Sequence, residues 1–221
     1  MKLDLKRELI PLGVIAAVAA IAVYYYPQLP EVIPSHFNVH GDANGWMRKT
    51  TFFVVMGATF ISIYLLFTFL PSIDPLRKKI EPRFRVVLFL RDILLALFGA
   101  IFMLTLAAAH SGVLQMNLFG LAFGALLVVL GNYMPKLPQN WFIGIRTPWT
   151  ISSESVWRRT HILGGWLFAI SGIIFIVCTL FKVNNLVPLV AIISAALISV
   201  LYSFYLFKRE QSSGPGDKDN P

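Results

Sequence analysis

Six apolar blocks of about 20 residues, near 9–26, 52–70, 88–108, 114–134, 163–181 and 186–207, constrain this chain more than any other feature. Each is long enough to cross a hydrocarbon core of roughly 30 Å as a helix. Backbone polar groups in lipid must be satisfied within their own segment, so such blocks read as helices and not as open strands. Only 14% of the residues are charged and 57% are hydrophobic, with a mean hydropathy of +0.70; soluble domains carry about 25% charged residues. The fold class is therefore all-α: a polytopic protein with six transmembrane helices, multi-pass in the cell membrane.

Orientation follows from the basic residues. With six spans, the two termini and the loops after spans two and four share one side. That side holds 16 of the 19 Lys and Arg residues. Cytoplasmic segments are the ones enriched in Lys and Arg, so both termini are expected inside. The net charge of +8 then reflects topology and contact with anionic membrane lipids, and no direct nucleic-acid partner is expected.

Three local features bear on the spans. A basic flank (Lys2, Lys6, Arg7) precedes the first, but its apolar run exceeds a signal peptide's usual core and ends in Tyr24, Tyr25, Tyr26 and Pro27, so a retained helix is expected. Arg91 and Asp92, near the start of the third span, are read as interfacial, with a buried ion pair as the alternative. Cys178, the single cysteine, is read as a small apolar helix residue.

Two loops are out of character with the rest. Between spans one and two, prolines at 27, 30 and 34 keep the chain extended. In the following "HFNVHGDANGW", His36, Asn38 and His40 would share one face and Phe37 and Val39 the other. Gly41, Asp42, Asn44 and Gly45 supply turn chemistry. His36 and His40 with Asp42 are suitable zinc ligand types, but their spacing fits no helical zinc motif. The preferred reading is a packed polar loop, and no metal or other cofactor is expected.

The loop after span four contains "NWFIGIRTPWTISSESVWRRTH". Pro135, Pro138 and Pro148 prevent a long helix before residue 150. Ser152 or Ser153 then caps a new helix with Glu154 in its first turn. Glu154, Trp157, Arg158, His161 and Gly165 fall on one face of it by the i, i+3, i+4 rule. Arg146, among apolar neighbours, needs a partner; Glu154 is the nearest acid in sequence, and a ligand carboxylate is the alternative. Trp141, Trp149, Trp157 and Trp166 read as interface anchors.

Together the loops carry a resemblance. "IPSHFNVHGDANGW" resembles a segment of a small membrane domain of uncharacterised function, with Pro34, His36, Asn38 and Gly41 at the matching positions. "GNYMPKLPQNWFIGIRTPWTISSESVWRRTHILGGW" resembles the signature of the SdpI-type immunity family, multi-span bacterial membrane proteins. There the matching positions include Asn140, Trp141, Arg146, Thr147, Pro148, Trp149, Glu154, Trp157 and His161. The resemblance implies a two-helix domain at 1–80 and a four-helix domain at 81–208, while the polar, Gly- and Pro-rich composition of the tail at 209–221 reads as disordered. It also implies resistance to a secreted peptide toxin, and a signalling role in which a cytoplasmic transcriptional repressor is held at the membrane.

Two other classes compete with a binding and immunity role. A small transporter or exporter would place ionisable groups near the bilayer midplane, and five of the six spans have no charge in their central turns. The glycines of "FGLAFG" and "GG" are more simply sites of close helix packing. A metal-dependent membrane enzyme would have to join His36, His40, Glu154 and His161, which the charge count puts on opposite sides. No nucleophile, HExxH or phosphate loop accompanies them, and no enzymatic activity is expected.

Overall fold

The computed structural model describes residues 5–212. Among these residues are six helices long and apolar enough to cross a membrane, as expected: α1 (Leu5–Tyr25), α2 (Lys49–Ile73), α4 (Phe84–Ser111), α5 (Met116–Tyr133), α7 (Glu154–Leu180) and α8 (Leu186–Ser212). Two short helices, α3 (Arg77–Ile80) and α6 (Pro148–Ser152), lie in the connections. Most of the tail expected at 209–221 lies outside the described residues, and α8 runs to Ser212.

The extended loop between α1 and α2 is a β-hairpin of β1 (Val32–Phe37) and β2 (Ala43–Arg48), paired antiparallel with irregularities on either side of His36. The alternation read over residues 36–40 thus stops at Phe37, because a tight turn takes over: Asn38 N donates to Asp42 O and Gly41 N to Asn38 O. The tip is fastened by backbone hydrogen bonds from Ala43 N to Gly112 O and from Leu114 N to Gly41 O, and by Asn185 Nδ2 donating to Val39 O. The hairpin therefore closes one end of the bundle, the hairpin face. The described termini and the loops holding α3 and α6 form the opposite end, the terminal face.

α7 is the hub of one side, packing against α5 and α8, and α4 bridges to α1 and α2. The α5–α7 crossing is close because Gly131 meets Gly165 and Gly124 meets Gly172, where an added Cβ would collide with facing backbone. Small residues let membrane helices approach in this way.

Arg91 corrects the interfacial reading. It is fully buried and pairs through Nη1 with Glu8 at 2.9 Å and through Nε with Asp92 at 2.9 Å, and Thr68 accepts at 2.8 Å. Tyr64 adds a hydrogen bond to Glu8. The alternative reading, an ion pair between helices, is the observed one: a guanidinium in lipid is stabilised more by carboxylates on neighbouring helices than by reaching for water alone. The cluster ties α1, α2 and α4 together.

Candidate functional site

The terminal-face loop from Leu137 to Ser153 is folded by its own polar side chains. Asn140 is 2% exposed. Its Oδ1 accepts from Phe142 N at 2.8 Å and Ile143 N at 2.6 Å, while Nδ2 donates to Pro138 O and Ile143 O, both at 2.9 Å. Every hydrogen-bonding direction of that amide is filled, as burial demands.

The next turn passes through Gly144 at φ +111°, where a Cβ would fall on His161 Nε2. This backbone region is open to glycine at little cost. It brings Ile145 N–H to His161 Nε2 at 3.1 Å, while Nδ1 meets Trp157 O at 2.8 Å. A carbonyl only accepts, so Nδ1 carries the proton and His161 is the neutral tautomer with both nitrogens engaged. Trp157 is stacked on it at 4.0 Å between ring centroids and donates its indole N–H to Leu137 O. Trp157 is therefore a core residue and not the interface anchor read from the sequence: its polar edge finds a loop carbonyl instead of headgroup water. Trp141 and Trp166 are exposed and Trp149 half-buried.

Thr147 caps α6. It accepts from Thr150 N, Thr150 Oγ1 accepts from Thr147 N, and Pro148 takes the first helical position. The Thr147 hydroxyl also meets Ser203 of α8 at 3.0 Å. Ser153 caps α7 as expected, accepting from Val156 N, and reaches Glu210 at the other end of its hydroxyl.

Arg146 and Glu154 do not pair. Arg146 is exposed and folds back so that Nη1 donates to Trp141 O at 2.7 Å. Glu154 faces the connection after α2 and pairs with Lys79. The nearest acid in sequence is turned away because Thr147 starts a helix between the two residues.

Several residues central to this loop escape sequence reasoning. Asp74, 2% exposed, accepts from Leu76 N at 2.6 Å and Trp141 N at 2.9 Å. Gln139 donates to Thr150 O and Ile151 O and accepts from Lys79 Nζ. The Asp-Pro pair at 74–75 signals a turn, but nothing local signals that its carboxylate holds a segment 67 residues away.

On the hairpin face the candidates point outward. His36 and His40 are exposed and Asn38 is half-buried. His36 Nδ1 donates to Asn44 Oδ1 at 2.6 Å. Asn38 Oδ1 accepts from His40 N and Asp42 N at 2.8 and 3.0 Å. Beneath the tip is a mostly apolar cavity of about 190 Å³, whose lining includes Phe37, Val39, Phe119, Phe175, Thr179 and Leu189. The two sets of candidates thus sit at opposite ends of the bundle, and His161 is brought to neither His36 nor His40. No group of three or more His, Cys, Asp or Glu side chains is arranged to hold a metal among the described residues.

Two family models match separate stretches of the chain. Residues 136–203, covering the terminal-face loop with α7 and part of α8, match the model of the SdpI/YfhL protein family. Residues 13–61, which span the hairpin, match a domain of unknown function (DUF1648). The chain is 26% identical over 213 residues to "Immunity protein SdpI" of Bacillus subtilis, covering 95% of this chain and 100% of that protein. No solved structure matches. With the terminal-face loop inside the matched region and a relative aligned almost end to end, this multi-pass membrane protein is similar to the SdpI/YfhL family over residues 136–203.

Proposed function

We propose that this protein is a non-enzymatic membrane immunity protein, protecting its cell from a secreted membrane-active peptide. The observation that carries this reading is the near end-to-end likeness to an immunity protein. The bias of Lys and Arg toward the terminal face supports an orientation with the hairpin outside. A peptide arriving from outside then meets His36, Asn38 and His40 first. The cavity under the tip offers its apolar side chains a place to leave water.

The terminal face belongs to the finer part of the proposal. There the exposed Trp141 and Arg146 offer a cytoplasmic repressor an aromatic and a cation, residue types favoured at interface centres. Hairpin and terminal loop both rest on α7 and its neighbours, so a shift of those helices on peptide binding connects the two ends.

A survival assay tests the reading. The protein is expressed in a bacterium sensitive to a sporulation-delaying-type peptide toxin, and survival is compared with that of cells carrying an empty vector at matched growth. Protection by the wild type supports immunity. Full killing despite confirmed membrane insertion sinks it.

A further inference from the structure

On the terminal face, between the α3 connection and the start of α7, lies a cleft of about 460 Å³ lined by Lys79, Arg83, Glu154, Trp157, Arg158 and Ile162 among others. Its charge is unbalanced. Glu154, the one carboxylate among the described lining residues, is already paired with Lys79. Arg83 spends one N–H on Lys136 O at 3.3 Å. Arg158 is exposed and has no ion-pair or hydrogen-bond partner among the described residues. Two guanidinium groups therefore face one cleft without a counter-charge among the described residues, and a guanidinium's planar fork matches a phosphate's oxygens.

The cleft has an apolar continuation. A groove of about 280 Å³ runs along the α5–α7 crossing, lined by Val128, Gly131, Pro135, Gly165, Trp166 and Ala169 among others. Pro135 lines both spaces. Gly131 and Gly165 line the groove where the two helices meet backbone to backbone, and Trp166 stands exposed at its side. Along α7, Arg158 to Ala169 covers roughly 16 Å at about 1.5 Å per residue, close to half of a ~30 Å hydrocarbon core. The basic end lies near the first turns of α7 and the apolar end lies deeper in the span. A free anion has no use for the second part, and an acyl chain has no use for the first.

We propose that cleft and groove together form a site for one anionic phospholipid, its phosphate held by Arg83 and Arg158 and an acyl chain lying in the glycine-lined groove. Basic pockets between membrane helices recognise such headgroups. The site is separate from the hairpin and stands independently of the immunity reading.

Thermal unfolding of the full chain in neutral detergent, titrated with defined lipids, tests it. Phosphatidylglycerol is expected to raise the melting temperature at concentrations where phosphatidylcholine does not. The variant Arg83→Gln/Arg158→Gln is expected to need at least about tenfold more phosphatidylglycerol for the same shift, while Arg146→Gln, outside the cleft, behaves as wild type. Arg158→Gln alone serves if the double variant does not fold. Equal stabilisation by the two lipids overturns the proposal, as does an unchanged requirement in the cleft variants. Inorganic phosphate reproducing the shift at equal concentration makes this a free-anion site and also overturns it.

Discussion

Asn38 and Asn140 perform the same local task at opposite ends of the molecule, and what differs is the water around them. Each side-chain oxygen accepts from two backbone N–H groups and so closes a turn. Asn38 does this half-exposed at the hairpin tip, where water can replace any bond that is lost. Asn140 does it at 2% exposure, with its amide nitrogen also committed to two carbonyls. The hairpin is thus held chiefly by backbone bonds and leaves its histidines to solvent. The terminal loop spends Asn140, Thr147, Trp157 and His161 on its own folding and leaves Trp141 and Arg146 outside. A signature motif is therefore not a contact list: most of "NWFIGIRTPWT" is there to build a surface, and only a few of its side chains are that surface.

Asn140→Ala should break this pattern most severely. It strands two N–H groups and two carbonyls inside the loop, and each buried unsatisfied group costs about 1–3 kcal/mol. A loss of about 3 kcal/mol or more in detergent unfolding is expected. Gly144→Ala comes next. The φ of +111° strains any side chain and the new Cβ falls on His161 Nε2, so a loss of about 2–3 kcal/mol is expected, seen as a lowered melting temperature. Asn38→Ala should cost about 1 kcal/mol, since water takes over the freed groups. If Asn38→Ala proves as costly as Asn140→Ala, the contrast drawn between the ends fails.

The sequence made the spans legible because length and hydropathy are local properties and a bilayer demands both. The Ser153 cap and the close-packed glycines were legible for the same reason, since each follows from a short pattern. What failed was partner choice over distance. Arg146 and Glu154 are neighbours in sequence, yet Glu154 pairs with Lys79, 75 residues away. Arg91 looks the same in sequence whether it reaches for water or for a carboxylate, and the deciding group is Glu8, 83 positions away. The loop candidates were found as residues but not as roles, because burial is a property of the assembled bundle. His161 illustrates this: in sequence it is a free imidazole near an acid, and in the fold both its nitrogens are occupied by backbone.

The smallest effect on stability is the most informative about function. His36 and Arg146 are both exposed, and each side chain makes a single hydrogen bond among the described residues, to Asn44 and to Trp141 O. Exposed substitutions of this kind usually stay within about 0.5 kcal/mol, so His36→Ala and Arg146→Ala should reach the membrane at wild-type levels with little change in melting temperature. Any change in survival under toxin challenge then reports on contact and not on folding. On the proposed orientation, His36→Ala weakens protection because the hairpin meets the peptide. Arg146→Ala leaves protection intact and impairs only capture of a cytoplasmic partner. The reverse result, protection lost with Arg146 and kept without His36, would move peptide recognition to the terminal face. Loss with both would join the two ends in one response, as a helix shift through α7 requires.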